Sequence, residues 1–436
     1  MPTALLAVQT AADFGGSYTW LQQLLEELPS FGWRCSVALS SDGSQAWRAF
    51  AKRYENLADV TILRSLTGTP LGRQRAVRKA LHAIGPDVVI PHLLFDVFPA
   101  VSDSKRDGGE ARLVYCAHEI SGRMLADLSR YKGITDLAVG VSRMLGTILR
   151  DIIQIPPDRV SVIPYGVPES RVHHQDREAC AALRIGYAGR FEDDKRVLDL
   201  IPLCEELDRL GVDYRLEIAG RGSREQDLRA ALMPGVERGR VAFLGFVTRD
   251  ELYRVVYPAW DAFILCSPSE GWSIAIAEAM VNAIAPIVSD FRGRRQEQLL
   301  RDGETALVFP IGDMPAAAVA CKRLADDGSL LHRLQTSAKH EIDQRFTTRR
   351  MAEAWDDALR RAIQRPVARE LCRDELSPAG RLDRFLGVRM GEAVRRHLSP
   401  PPRFEEPWPY VSSIGAQSYA GLETLINDLS TERREE

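Results

Sequence analysis

The chain lacks the marks of several common protein classes. No window holds 18 uncharged apolar residues, so a membrane span is not expected. The seven cysteines, at 35, 116, 180, 204, 266, 321 and 372, are odd in number and include no C-x-x-C pair. A zinc ribbon or disulfide framework is therefore not indicated. Thiols inside apolar runs read instead as small core residues of a reducing, cytoplasmic setting. Residues 1–8 carry no basic leader, which argues against a signal peptide. A formal net charge of -3 gives no long-range reason to expect nucleic acid as a partner. Short-period repeats and low-complexity tracts are missing too.

What remains is an ordinary globular composition, 45% hydrophobic and 27% charged, over 436 residues. That length exceeds what one hydrophobic core usually organises, so two domains are expected. Short apolar runs at 4–8, 35–39, 60–63, 88–90, 113–116, 137–141 and 160–163 alternate with amphipathic stretches such as 18–28. This is the pattern of parallel βαβ units buried on both faces. A polar stretch carrying His173, His174, Gln175 and Asp176 follows, and a second alternating series runs through 185–188, 216–219, 241–244, 262–266, 287–288 and 306–309. The expected architecture is α/β, with two Rossmann-like doubly wound domains at 1–168 and 184–346 joined by a linker at 169–183. A closing helix at 347–365 and an extension at 366–436 complete it.

Chemistry-bearing residues gather where strands end. After the run at 262–266 the chain reads Ser267, Pro268, Ser269, Glu270, Gly271, Trp272, Ser273, and Glu278 follows two helical turns on. Glu270 would sit at a strand's carboxyl end, with the N–H groups of Gly271, Trp272 and Ser273 opening a helix that favours an anionic or polyhydroxyl ligand. Glu278 shares that crevice only if the helix starts near Ser273. The plainer readings are a helix-terminal charge and an exposed helix face. Gly189 and Arg190, with Lys195 five residues on, close the first strand of the second series. A guanidinium and an ammonium in a crevice can neutralise a diphosphate leaving group; Glu192, Asp193 and Asp194 make a solvated charge cluster the alternative. Gly15, Gly16 and Ser17 mark the first strand-to-helix turn, where backbone N–H groups can approach a phosphate or where the chain simply turns. His118 and His92 both end strand-like runs, and a lone histidine is more often structural than catalytic.

Together these elements resemble retaining nucleotide-sugar glycosyltransferases of the GT-B type, glycosyltransferase family 4. The resemblance rests on the two glutamates seven residues apart, on Gly189, Arg190 and Lys195, and on Gly220, Gly222, Gly245, Phe246, Glu251, Tyr253, Asp302 and Gly303. It runs in order over residues 1 to 365. It implies His118, Arg190, Lys195 and Glu270 as catalytic, and Gly15, Gly16, Ser17, Gly189, Gly271, Trp272, Ser273 and Glu278 as donor-binding, with Glu278 on the ribose hydroxyls. His118 fits the family position better than His92. The two domains would face a central cleft, with the donor against the second domain and the acceptor entering from the first. The implied co-substrate is a UDP-sugar, with a GDP-sugar as the alternative. The acceptor would be a hydroxyl-bearing glycan, glycolipid or small molecule. No metal site is implied, and no Asp-x-Asp element occurs. Trp272 and Ser273 replace the family's usual pair after Glu-Gly, and Arg292, Arg294 and Arg295 stand where a Gly-Gly turn is usual, adding cations that suit an anionic acceptor. A sugar-nucleotide epimerase and a non-catalytic nucleotide-sugar-binding scaffold are the rival readings.

Beyond Pro366 the family pattern stops. Leu382, Phe385, Leu386, Met390, Ala393 and Val394 fall on one helical face, opposite Arg381, Arg384, Arg395 and Arg396. Such a helix could dock on another domain or lie on an anionic membrane surface, a peripheral contact at the inner face; two interrupting glycines favour docking. Prolines 400–402, 407 and 409 suggest an extended connector before a last short helix near 422–429. Nothing in the sequence indicates an oligomeric state.

Overall fold

The computed structural model describes residues 1–10, 16–40, 46–170, 182–370, 380–398 and 417–432. It contains two compact units, one of Met1–Pro164 with Met351–Glu436 and one of Tyr165–Arg350. The first unit holds β1 (Thr3–Val8), β2 (Arg34–Ser40), β3 (Asp59–Leu63), β4 (Val88–His92), β5 (Arg112–Ala117), β6 (Thr135–Gly140) and β7 (Val160–Val162). They form one parallel sheet in the order β3-β2-β1-β4-β5-β6-β7. Every residue of β4 and β6 is buried, whereas the edge strands β3 and β7 are largely half-exposed. Helices on both faces account for this and explain the near-continuous apolar runs.

The second unit holds β8 (Leu183–Ala188), β9 (Tyr214–Ala219), β10 (Val241–Gly245), β11 (Ala262–Leu265), β12 (Ala285–Ser289) and β13 (Leu307–Phe309). Their order, β10-β9-β8-β11-β12-β13, is again parallel throughout. In each sheet the strand order reverses beside the first strand, between β1 and β4 and between β8 and β11. The chain ends leaving those strands diverge there and open a crevice.

The units divide at Pro164/Tyr165 and at Arg350/Met351. The expected edges were 168 and 346, and most of the linker at 169–183 lies outside the described residues. The helix expected at 347–365 is Thr348–Gln364. From Met351 it belongs to the first unit: Trp355 lies 5.3 Å from the Trp20 ring, Trp33 Nε1 donates to Asp356 Oδ1 at 2.6 Å, and the Arg112 guanidinium donates to the carbonyls of Ala362, Ile363 and Arg365.

The extension packs on the first unit as well. Ala368 N donates to Asp136 Oδ1 at 2.7 Å, and Lys105 Nζ donates to Asp136 Oδ2 at 2.5 Å and to the Ala368 carbonyl at 3.0 Å. Burial pushes the Lys105 ammonium down from its ordinary range and Asp136 opposes that shift. The single amphipathic helix expected at 382–394 is instead two, Arg381–Leu386 and Val388–Leu398, because Gly387 takes a left-handed φ of 80° between them. Residues 399–416, including the expected proline connector, lie outside the described residues. The last helix, Gln417–Glu432, packs on Gly122–Arg130, where Gly122 N donates to Glu423 Oε2 at 2.5 Å. Cys35, Cys116, Cys204, Cys266 and Cys321 are buried free thiols. Cys180 and Cys372 lie outside the described residues.

Candidate functional site

In the second unit the β8–β11 switch point carries a direct ion pair. Lys195, in the loop after β8, places Nζ 2.8 and 3.0 Å from the two carboxylate oxygens of Glu270, in the turn after β11. Their side chains are 22% and 8% exposed, so the pair is largely screened from water yet reachable. Local backbone explains the reach. Arg196 adopts a left-handed φ of 48°, which turns the chain directly after Lys195; a non-glycine residue there costs on the order of 1–3 kcal/mol. Its guanidinium is clamped to Asp199 at 2.7 and 3.1 Å. Two glycines hold the loop from the other side. A side chain on Gly220 would meet the Gly189 carbonyl at 1.9 Å, and one on Gly222 would meet the Phe191 carbonyl at 2.5 Å. That close backbone contact carries the bonds from Phe191 N to the Arg221 carbonyl and from Arg224 N to the Phe191 carbonyl.

Arg190 does not join Lys195. Its guanidinium is half-exposed and pairs with Asp194 at 2.5 Å. The neighbouring acids are likewise occupied: Glu192 accepts from Ser223 N and Oγ, and Asp193 takes a two-bond contact from Arg224. The local charge cluster therefore describes Arg190 as it stands, and the crevice describes Lys195.

The turn after β11 is stitched to the loop after β12. Ser289 Oγ donates to the Ser267 carbonyl, and Arg292 N donates to the Pro268 carbonyl at 3.0 Å. Ser273 then caps the helix Ile274–Val281, accepting from Ile276 N. The condition on Glu278 is thus met, but the two glutamates have different partners. Glu278 accepts from Arg249 Nε at 3.1 Å and from the Tyr257 hydroxyl at 2.9 Å, and its side chain is 9% exposed. Burial raises its carboxyl above the usual range, with Arg249 pulling the other way. Each carboxylate oxygen keeps acceptor capacity beyond these bonds. Gly271, Trp272 and Ser273 line a small cavity with Glu270, Phe291 and Arg294 that has room for a water. Trp272 lies against Phe346, ring centroids 4.7 Å apart. Of the cations expected to attract an anionic acceptor, Arg294 and Arg295 share the single carboxylate of Asp290, each at 2.8 Å, so their charge is only partly offset.

Arg249 and Tyr257 were missed from the sequence. They come from an irregular helical segment whose start, the capping box of Thr248 and Glu251, is legible, but their approach to Glu278 spans 29 and 21 residues and leaves no local signal.

In the first unit the strand ends at the β1–β4 switch point hold rings rather than charges. His92 is fully buried, 4.6 Å from Tyr18, 5.9 Å from Trp20 and 5.2 Å from His118. His118 lies 4.8 Å from Trp20, with its Nδ1 3.8 Å from the Cys116 thiol. Burial lowers His92 to about 3 and carries His118 well below the ordinary histidine range, the latter helped by its neighbour. Both imidazoles are neutral at pH 7. The two rivals for one role share one cluster. Gly16 and Ser17 begin the helix Gly16–Glu27; Gly15 lies outside the described residues.

A twofold use of the 3-2-1-4-5-6 strand order, with an ion pair at one switch point, defines an α/β protein of two Rossmann-like domains. The Glycosyltransferase Family 4 model matches residues 14–171, and the Glycosyl transferases group 1 model matches residues 182–327. The chain belongs to this family of GT-B glycosyltransferases. It is 29% identical over 201 residues to the alpha-D-kanosaminyltransferase of Streptomyces kanamyceticus, 44% of this chain and 51% of that protein. It is 28% identical over 224 residues to the putative colanic acid biosynthesis glycosyltransferase WcaL of Salmonella typhimurium, 49% of this chain and 52% of that protein. The chain thus spans about half the length of these curated relatives. Its fold matches that of Anabaena HepE, solved in complex with UDP and glucose, with a TM-score of 0.66 and 17% identity over 82% of this chain and 99% of that one. The TarM structure matches with a TM-score of 0.67 and 11% identity over 82% of this chain and 99% of that one.

Proposed function

We propose that this chain transfers a sugar from a nucleotide diphosphate sugar to a hydroxyl acceptor with retention of anomeric configuration. The observation that carries the reading is the Lys195–Glu270 pair across the β8–β11 switch point, where open α/β sheets take their ligands. Lys195 would offset the charge that develops on the leaving diphosphate, an interaction that strengthens as the glycosidic bond breaks. Arg190, held only by an exposed pair with Asp194, is free to swing onto the same phosphates at little cost. Glu278 would accept from the ribose hydroxyls, and Glu270 would stand beside the donor sugar. The leaving diphosphate itself would take the acceptor proton. His118, neutral through the working pH range, offers a hydrogen bond to a sugar hydroxyl without charge. UDP is the preferred nucleotide, in line with the UDP complex of HepE, and the chemistry needs no metal.

Incubation with a panel of UDP- and GDP-sugars, with and without simple hydroxyl acceptors, tests this. Expected are nucleotide release that rises with acceptor, a product of unchanged anomeric configuration by NMR, and turnover that survives EDTA. Release of nucleotide or epimer without any acceptor product would favour an epimerase. Binding without turnover would favour the scaffold.

A further inference from the structure

The helical pair Arg381–Leu386 and Val388–Leu398 is tied to the loop after β3 by Glu392, while its other acid, Asp383, is buried within the pair. Asp383 and Glu392 are the only acids in that stretch, and both are buried. Asp383 pairs with Arg395 Nη1 at 2.6 Å, close against Gly391, whose missing side chain leaves room for the carboxylate. Glu392 accepts from Thr67 Oγ1 at 2.6 Å and from Thr69 Oγ1 at 2.7 Å. Three of its apolar residues point outward, while Leu382, Ala393 and Val394 are half-buried. Phe385 is 89% exposed, Met390 58% and Leu386 39%, clustered about the Gly387 turn, and Leu66 on the adjoining loop is 59% exposed. Arg381, Arg384, Arg389 and Arg396 are exposed around them and make no ion pair among the described residues.

We infer that this helical pair is a docking surface for an anionic lipid bilayer. Turning both acids inward leaves an exposed charge of one sign, and cations flanking a knot of large apolar side chains are what an interfacial segment needs. Each arginine near an anionic surface strengthens binding about fivefold, so the four act together while the apolar tip enters the headgroup boundary. The anchor is placed to matter. Thr67 and Thr69 lead out of β3 at the carboxyl edge of the first sheet, the edge that carries His92 and His118. The inference does not depend on the donor reading.

Co-sedimentation of the full chain with vesicles tests it. Binding is expected to phosphatidylcholine vesicles containing phosphatidylglycerol, at least tenfold weaker to phosphatidylcholine alone, and weakened by added salt. The double variant Arg384→Ser, Arg389→Ser should bind anionic vesicles about 25-fold less well, and Phe385→Ser, Met390→Ser at least tenfold less well. Both should keep the wild-type melting temperature and vesicle-free donor turnover. Absence of binding to anionic vesicles, or equal binding by wild type and both variants, would overturn the inference. So would a wild-type dimer that Phe385→Ser converts to monomer, since a second copy would then be the occupant.

Discussion

The two sheets share one strand order and carry opposite chemistry at the same topological point. Beside the β1–β4 switch point Tyr18, Trp20, His92 and His118 pack ring on ring, and both imidazoles are neutral at pH 7. Between β8 and β11 the crevice holds Lys195 against Glu270, with Arg249 against Glu278 on the helix beyond. The first arrangement excludes charge by burial. The second keeps charge by pairing it. Topology therefore decides where a ligand can enter, and the few side chains after each strand decide which ligand it is.

Replacing Lys195 should break this contrast most severely. Lys195→Ala removes the cation and leaves Glu270 unpaired and largely buried, and turnover should fall by about 10² to 10³, the scale of losing one oxyanion-type donor. Steady-state kinetics on a nucleotide sugar reads it, and near-normal kcat would refute the role. Acid titration is the next largest effect and has opposite signs in the two units. His92 has a folded pKa of about 3 against 6.5 unfolded, so its contribution to stability is complete above pH 6.5 and lost as pH falls toward 3. Glu278 is shifted up, so its contribution is complete below pH 4.5 and lost as pH rises through its folded value. His92→Phe should flatten the acid limb of a denaturation profile by up to about 1.4 kcal/mol per pH unit; an unchanged limb would show that the imidazole carries no such burden.

Glu278→Gln should weaken nucleotide binding about tenfold, roughly 1.4 kcal/mol, because the ribose loses its anionic acceptor. Calorimetry with an equal Kd would dismiss the ribose contact. Arg190→Ala should matter least to folding, within about 1 kcal/mol, as expected for an exposed pair. A larger shift in the denaturation midpoint would mean that Arg190 does more in the fold than hold Asp194.

The strands were legible because parallel strands covered on both faces must be apolar throughout, so even the two-residue run at 287–288 marked the five-residue β12. The strand-end residues could be named for the same reason. Their partners could not. Whether Lys195 or Arg190 turned inward depended on the left-handed kink at Arg196, the glycine contacts of 220 and 222, and Glu270 from 75 residues away. The helical pair misled for a related reason. Its period marked one continuous apolar face, but Gly387 breaks the helix, Leu382, Ala393 and Val394 are half-buried while Phe385, Leu386 and Met390 are exposed, and Thr67 and Thr69 supply the partners that hold Glu392 in.

The central claim is that Lys195 meets the donor's diphosphate in the β8–β11 crevice, and the most direct test titrates nucleotides into wild type and Lys195→Gln. With UDP, or GDP if that is what the wild type binds, the variant should lose at least tenfold in affinity, while the corresponding monophosphate should bind both proteins within about twofold. Equal affinity of the two proteins for the diphosphate would contradict it.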